Sequence, residues 1–164
     1  MGNISDPRFL TAVPERLKFL RVCYLEYAVK GYIGRVLRDA EVAYVFGEAP
    51  ASREGARVLP GMVIATRSNG DKGWSNKGRT EEMVAEALAT MAHPARKLLQ
   101  HVQWLCKWFG GGSVCDPFMG SGTTTLACKR LGIPFIGIEV EERYCEMAVK
   151  RLAQEQIQFV GDLP

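Results

Sequence analysis

The sequence predicts an α/β fold in which two parallel strands flank a glycine-rich loop near the C-terminal end. Two early segments, residues 19–29 (FLRVCYLEYAV) and 41–47 (EVAYVFG), are rich in β-branched and aromatic residues, which favour strands. Residues 113–139 read as a strand, a glycine loop, a helix and a second strand. Residues 95–109 carry apolar side chains at helical spacing. Strands interleaved with helices are typical of an α/β sheet with flanking helices.

The segment between the early strands and the glycine loop holds one further strand and one further helix. A short strand is predicted at residues 62–65, inside RVLPGMVIAT. Residues 79–93 (RTEEMVAEALATMAH) predict a helix with Thr80 as its candidate N-cap. We expect this helix to end at His93, because the residue before Pro94 is steered away from the helical region.

The C-terminal elements are predicted from apolar spacing and from glycine and proline positions. The helix at 95–109 ends at three consecutive glycines and has one apolar face, made of Leu98, Leu99, Val102, Leu105, Cys106 and Phe109. A strand at 113–116 follows, and then a helix at 123–131 that Gly132 closes. The sequence FIGIE (135–139) predicts the next strand. The last helix covers 141–156, with a stripe of Tyr144, Met147, Ala148, Arg151 and Leu152.

Length and composition predict one globular domain over residues 1–164. Of the residues, 47% are apolar and 24% are charged, which excludes a disordered chain. No apolar run approaches the ~20 residues that span a bilayer, so no membrane partner is expected. The opening MGNISD matches neither a secretory signal nor a myristoylation motif. Five cysteines without a C-x-x-C motif predict buried, reduced thiols and a cytoplasmic protein.

Residues 51–80 form a basic segment inside the domain. Six basic side chains against two acidic ones give it a net charge of +4, above the +3 of the whole chain. The part TRSNGDKGWSNKGRT has no helical or alternating period and is predicted to be a loop. Such a loop suits a phosphate backbone or an unstacked base, through Arg67, Lys72, Trp74, Lys77 and Arg79. The sequence leaves open whether it contacts DNA or is a solvated connector.

The glycine loop VCDPFMGSGTTTLACKRLG (114–132) has three candidate ligands, which its residue spacing distinguishes. A phosphate-binding Walker loop needs a lysine after the last glycine, and none follows Gly122. A dinucleotide fingerprint needs a third glycine where Thr125 stands, and its pyrophosphate would be repelled by Asp116. A zwitterionic amino acid joined to a nucleoside fits better. Asp116 can take the ammonium group, the loop amides the carboxylate, and Glu139 both ribose hydroxyls, which indicates S-adenosylmethionine.

Several motifs together resemble one enzyme family, the DNA amino-methyltransferases. These are HPARK (93–97), DPFMGSGTT (116–124), FIGIE (135–139) and a helix with the pattern Tyr144, Ala148, Arg151. The closer resemblance is to the subgroup whose cofactor motif lies near the C-terminus, and it covers residues 93–152. Enzymes of this kind methylate N6 of adenine or N4 of cytosine.

The resemblance implies a partial Rossmann-like methyltransferase sheet with S-adenosylmethionine as cofactor and DNA as partner. It assigns cofactor binding to Lys97, Asp116, Pro117, Phe118, Gly120, Ser121, Gly122, Thr123 and Glu139. In this assignment Lys97 contacts the methionine carboxylate and Glu139 binds the ribose. The family usually has a second proline after the lysine, and Leu98 stands there instead.

The catalytic tetrapeptide of the family is not among these residues. That motif is Asp, Asn or Ser, then Pro-Pro, then an aromatic residue, and Pro-Pro occurs nowhere in the sequence. The tetrapeptide grips the target amino group and stacks on the flipped base. We therefore predict an incomplete domain, the C-terminal, cofactor-binding part of a methyltransferase that is inactive without the missing segment. No catalytic residue is predicted, and a second chain with the tetrapeptide, or a homodimer, is the expected partner.

Two other functions stay open. One is a relic or regulatory subunit that holds the cofactor or DNA without turnover, and the other is a methyltransferase acting on RNA or protein. The remaining aromatic and titratable residues are interpreted as structural. Trp104 and Trp108 are four residues apart on a helix, as packing residues are. With only His93 as a second histidine, His101 predicts neither a metal site nor a nucleophile–base pair.

Overall fold

The computed structural model describes residues 7–33, 35–50, 58–65 and 97–153. A 3₁₀ helix at Pro7–Ala12 precedes strands β1 (Phe19–Ile33), β2 (Val36–Phe46) and β3 (Met62–Ala65). The second part contains α1 (Leu99–Phe109), β4 (Val114–Asp116), α2 (Thr123–Leu131), β5 (Phe135–Gly137) and α3 (Glu142–Ala153). The mixed α/β class predicted from the sequence is confirmed.

The first sheet has β1 at its centre, antiparallel to β2 and parallel to β3. Its side chains alternate between two faces, as in any strand. Cys23 and Leu25 of β1 and Ala65 of β3 are buried on one face. Tyr24 and Met62, which lie opposite each other in the register, are exposed on the other. Among the described residues, one face of this sheet is therefore packed and the other is exposed.

The second sheet consists of β4 and β5, which run parallel with Val114 opposite Phe135 and Asp116 opposite Gly137. Helix α2 connects the two strands, so the unit is β–α–β. Parallel strands end at the same edge of a sheet. Asp116 ends β4, and Glu139 follows β5 by two residues, so the two acids come to the same edge as the sequence predicted.

Helices α1 and α2 pack together and cover one face of the β4–β5 sheet. The buried centre is Cys106, Ala127 and Cys128, and the apolar side chains packed around it are Leu99, Val102, Val114, Leu131, Ile133 and Phe135. The Sγ atoms of Cys106 and Cys128 lie 3.7 Å apart. Burial raises the pKa of the Cys106 thiol to about 12, so it stays protonated at neutral pH.

The prediction that the cysteine thiols are buried is confirmed for three cysteines and is wrong for one. All five cysteines are free, and Cys23, Cys106 and Cys128 are buried. Cys115 is exposed instead, and Cys145 is half-buried. The reason lies in the strand period: Val114 points to the core, so its neighbour Cys115 points to the opposite face of β4. The apolar neighbours of Cys115 in the sequence do not reveal which face of the strand its side chain occupies.

The predicted elements occur with shifted ends. The first two strands are longer than predicted, because β1 and β2 form a hairpin whose mutual hydrogen bonds carry the ladder to Ile33 and Val36. The helix predicted from residue 95 begins at Leu99, and its N-cap residue Leu98 makes no side-chain cap. The strand predicted over 135–139 ends at Gly137.

Other predicted elements match closely or fall outside the described residues. Helix 123–131 and strand 62–65 have the predicted bounds. The helix at 79–93, the basic loop and residues 154–156 of the last helix lie outside the described part of the chain. Among the described helices, none has the length and apolar character needed to cross a membrane.

Candidate cofactor site

The turn from β4 into α2 is fixed to the chain that follows β5. The amide of Ile138 donates to the carbonyl oxygen of Asp116 at 2.8 Å, and the amide of Met119 donates to the carbonyl oxygen of Ile138 at 3.0 Å. These bonds extend the β4–β5 ladder by one step beyond the strands. The glycine loop therefore lies directly beside the segment that carries Glu139.

The Asp116 side chain caps its own turn. Its Oδ1 atom accepts a hydrogen bond from the amide of Phe118 at 3.0 Å, and the residue is half-buried. An ionised carboxylate has about four lone-pair positions, and this bond uses one of them. The carboxylate thus keeps acceptor capacity for a cationic group while the turn holds it in place.

Glu139 binds the loop from the other side. Its Oε2 atom accepts from the amide of Gly120 at 2.9 Å, and its Oε1 atom accepts from the amides of Val140 and Glu141 at 2.9 and 3.0 Å. The sequence predicted a ribose-binding acid and did not predict these backbone contacts. Their effect is to orient the carboxylate toward the first glycine of the loop.

Two glycines allow the loop its shape. Gly120 and Gly122 have φ angles of 52° and 77°, in the left-handed region that other residues rarely adopt. A Cβ atom on Gly122 would also lie 2.7 Å from the Cβ of Ala148 and 2.8 Å from the Oγ1 of Thr125. The second glycine is therefore required both by its backbone angle and by the close approach of α3.

The start of α2 follows directly after the loop. Ser121, Thr123 and Thr125 are buried polar residues there, and Thr125 Oγ1 donates to the carbonyl oxygen of Gly122 at 3.0 Å. The first amides of a helix have no partner within the helix and favour a negative group. The sequence predicts that the carboxylate of the cofactor binds these amides. In the structure, α2 begins directly after the glycine loop, at Thr123, as that prediction requires.

The sequence analysis named Phe118 as a cofactor residue but did not predict its exposure, and it did not predict the exposure of Val140 or the contacts of Arg151. Phe118 and Val140 are 87% and 93% exposed, although both are apolar; Phe118 follows Asp116 by two residues and Val140 follows Glu139 directly. Arg151 of α3 donates through one guanidinium nitrogen to the carbonyl oxygen of Ser121 at 2.5 Å. For Val140, the signal in the sequence was an apolar residue directly after Glu139. For Arg151, the signals were its place in the helical stripe and in the family pattern Tyr144, Ala148, Arg151.

Lys97, predicted to contact the cofactor carboxylate, forms an ion pair outside the glycine loop. Its Nζ atom lies 2.9 Å from Oε2 of Glu41 in β2, a carboxylate that is almost fully buried. The hydroxyl of Tyr27 donates to Oε1 of the same side chain at 2.5 Å. Within the described residues, Lys97 makes no hydrogen bond or ion pair with the glycine loop. Its predicted role therefore stays a prediction.

His101 occupies the core beside this pair. Its side chain is 1% exposed, its Nε2 atom lies 2.8 Å from the carbonyl oxygen of Glu26, and its ring centroid is 5.3 Å from that of Tyr27. Burial lowers the pKa of His101, while the hydrogen bond to the Glu26 carbonyl and the nearby Glu41 carboxylate act in the opposite direction. A neutral, packed imidazole agrees with its interpretation as a structural residue. Trp104 likewise packs edge-on against Phe109, with centroids 5.8 Å apart.

The predicted DNA contacts Arg67, Lys72, Trp74, Lys77 and Arg79 all lie outside the described residues. The site described here is therefore the cofactor loop alone. It consists of a glycine turn between two strand-end carboxylates, followed at once by a helix N-terminus. This arrangement is typical of the class of open α/β proteins that bind a ligand at the carboxyl ends of their strands.

A family model described as DNA methylase (N6_N4_Mtase) matches residues 69–150, which is half of the chain. The chain belongs to this family of DNA amino-methylases, and the recognition made from the motifs is confirmed. The cofactor of the family is S-adenosylmethionine, as the sequence indicated.

Individual relatives match the C-terminal part. The type II methyltransferase M2.DpnII of Streptococcus pneumoniae is 46% identical over 66 residues, which are 38% of this chain and 24% of that protein. M.ScaI of Streptomyces caespitosus is 40% identical over 67 residues, 39% of this chain and 22% of that protein. The matched segment thus spans about a quarter of the length of these relatives.

Solved structures share the fold over most of the chain. The crystal structure of the M1.HpyAVI–SAM complex has a TM-score of 0.60 at 21% identity, covering 90% of this chain and 71% of that one. The PvuII DNA methyltransferase (cytosine-N4-specific) has a TM-score of 0.60 at 16% identity, covering 95% and 62%. The predicted methyltransferase-type α/β fold is confirmed.

Proposed function

We propose that this chain is the cofactor-binding, C-terminal part of a DNA methyltransferase. In this proposal the enzyme transfers the methyl group of S-adenosylmethionine to the exocyclic amino group of adenine (N6) or cytosine (N4). The observation that carries the proposal is the loop from β4 to α2, which is held between Asp116 and Glu139 and leads into a helix N-terminus.

The loop's donors and acceptors fit the three polar parts of the cofactor. The Asp116 carboxylate, with acceptor capacity beyond its bond to Phe118, would take the ammonium group. Amides at the start of α2 would take the carboxylate. Glu139 accepts one backbone N–H from the loop and two from the residues after it, and ribose hydroxyls would join these donors or replace some of them. When bound, the cofactor supplies an activated methyl group on its sulfonium sulfur.

Two exposed apolar side chains complete the fit. Phe118 and Val140 follow the acids within two residues and present exposed apolar surface, which the adenine ring and the carbons beside the sulfonium of the cofactor would cover. Burying such surface contributes about 25 cal/mol per Å². We propose that Lys97 supports the methionine carboxylate only after it leaves Glu41, so its contribution is secondary to that of the loop.

The catalytic tetrapeptide must come from outside these 164 residues, since no Pro-Pro occurs among them. The exocyclic amino group is a weak nucleophile because its lone pair is delocalised into the ring. Acceptors that hold it in line with the methyl group lower the barrier by orientation. We propose that residues 1–164 form a single but incomplete domain, which another segment or a second chain completes. DNA is the proposed substrate, with the basic loop at 51–80 as a contact.

Calorimetry with S-adenosylmethionine tests the cofactor site. The wild-type chain should bind, and Glu139→Ala should weaken binding about ten-fold or more, the effect of losing about 1.5–3 kcal/mol of charge-assisted hydrogen bonding. Glu141→Ala is the matched control, because this exposed neighbour pairs only loosely with Arg143 at 3.7 Å. Absence of binding by the wild-type chain, or equal affinity in Glu139→Ala, would contradict the assignment.

A second comparison separates ribose binding from support of the loop. S-adenosylhomocysteine and its 2′,3′-dideoxy analogue differ only in the two hydroxyl groups. The wild-type chain should prefer the hydroxylated ligand, and Glu139→Ala should lose that preference. If the variant keeps it, Glu139 only holds the Gly120 amide and another residue binds the ribose.

A non-catalytic relic or regulatory subunit is the alternative function. It would bind the cofactor or DNA as the enzyme part does, and a polypeptide bearing the tetrapeptide would not restore methyl transfer to it. Cofactor binding without any complementation would therefore favour the relic over the enzyme.

A further inference from the structure

Arg151 of α3 contacts the second half of the glycine loop, which comprises Ser121, Gly122 and Thr123. It lies in the last turn of α3 and is half-buried. One guanidinium nitrogen donates to the carbonyl oxygen of Ser121 at 2.5 Å and lies 3.4 Å from both Ser121 Oγ and Thr123 Oγ1. The sequence grouped this arginine with the helical stripe, and the proposed function gives it no task.

The loop is thus secured from two elements. Glu139, after β5, binds the amide of Gly120. Arg151, from α3, binds Ser121 and Thr123 on the side that leads into α2. Ala148, one turn earlier on α3, packs so closely on Gly122 that a Cβ atom there would lie 2.7 Å away. The two halves of the loop therefore depend on different residues.

All three of these contacts of Arg151 are made by one guanidinium nitrogen, which is part of a permanently charged group. Hydrogen bonds from a charged donor are about twice as strong as neutral ones. A cation directly behind Ser121 and Thr123 also raises the local potential at the start of α2, where a ligand's carboxylate would lie.

We propose that Arg151 is a positioning residue that fixes the α2 end of the loop for the carboxylate of the cofactor and leaves the nucleoside end to Glu139. The inference rests on the proposed function. The inference extends the proposed function by assigning α3 a role in ligand selectivity. In this role α3 distinguishes adenosyl ligands that carry a carboxylate from those that lack one.

Two ligands separate positioning from general support of the fold. Decarboxylated S-adenosylmethionine keeps the nucleoside, the sulfonium and the ammonium group and lacks only the carboxylate. Arg151→Gln should weaken binding of S-adenosylmethionine about ten-fold, the effect of one charge-assisted hydrogen bond. The decarboxylated ligand should lose less than about two-fold. Arg151→Lys should show the same selectivity with a smaller loss, because it keeps the positive charge on the side chain.

Lys150→Gln is the control, since this exposed neighbour on α3 lies 3.9 Å from Glu146 and makes no contact with the glycine loop among the described residues. It should leave both affinities unchanged. An equal loss for the two ligands in the Arg151 variants, or no loss, would overturn the inference while the wild-type chain still binds. Failure of the wild-type chain to bind either ligand would instead refute the proposed function. If Arg151→Gln does not fold, Arg151→Lys carries the same comparison.

Discussion

Within the described part of the chain, Lys97, a residue of a family motif, forms an ion pair with the buried carboxylate of Glu41 instead of contacting the glycine loop. Lys97 belongs to HPARK, and the family resemblance directs it to the cofactor. In the structure it neutralises Glu41, which is 3% exposed and would be costly to bury without a partner. Tyr27 adds a second hydrogen bond to the same carboxylate. The partners come from β1, β2 and the segment before α1, so no local pattern could have paired them.

The buried imidazole of His101 predicts a pH dependence of stability. Its pKa is lowered, chiefly by burial, so the unfolded chain binds a proton more readily than the folded one below the ordinary value of about 6.5. The stability due to neutral His101 is complete above that pH and is lost as the pH falls toward the folded pKa. The slope for one such group is at most about 1.4 kcal/mol per pH unit.

Urea unfolding of the wild-type chain between pH 7.5 and 5.5 measures this slope. We expect stability to fall with pH, and to fall less in His101→Gln, with His93→Gln as the control for the other histidine. The charged groups acting on His101 are Glu41 and Lys97, so an NMR titration of the imidazole should accompany the unfolding data. An unchanged slope in His101→Gln would show that another group titrates.

Among the elements, the β4–α2–β5 unit was the most predictable. Its helix bounds came out as predicted, because Gly122 and Gly132 take up left-handed angles at the two ends, with φ of 77° and 66°. The early hairpin was less predictable. Its ladder continues past Gly31, a residue type that does not favour strands, to the pair Ile33 and Val36, because β1 and β2 hydrogen-bond to each other.

The basic segment gives a prediction at the same scale. If residues 66–80 contact duplex DNA through phosphates, each contact adds about −0.9 to the slope of log affinity against log salt. Replacing Arg67, Lys72, Lys77 and Arg79 with glutamine should flatten that slope by up to about 3.6. Fluorescence anisotropy over a salt series measures it. The control variant replaces four basic residues of α2 and α3 with glutamine: Lys129, Arg130, Arg143 and Lys150. An equal slope in wild type and loop variant would make the loop a connector.

For the whole molecule, the prediction concerns catalysis. The chain alone should transfer no methyl group to DNA, because it contains no Pro-Pro-aromatic platform to orient the target amino group. A complementing polypeptide that carries the tetrapeptide should restore transfer of label from S-adenosylmethionine. Asp116→Ala in this chain should then abolish it again.

The purified chain must be free of host methylases for this measurement. A catalytically dead control is therefore the same preparation with Asp116→Ala, assayed alone. Methylation by the wild-type chain alone, absent from that control, would mean that the site is complete within these 164 residues and that another residue grips the base.

The sequence by itself determined the α/β class, the strand–glycine loop–helix unit and the two acids at the ends of its strands. These follow from local periodicity, from glycine and proline positions and from motif spacing, all of which act within about thirty residues of chain. The family resemblance rested on the same local patterns and was confirmed.

Only the tertiary structure decided which groups meet across the chain. It paired Lys97 with Glu41, turned Cys115 away from the core, and placed Arg151 behind Ser121. These outcomes depend on how α3 and the β1–β2 hairpin pack against the rest. Packing is set by the sum of many weak, non-directional contacts between distant segments, and no short stretch of sequence encodes that sum.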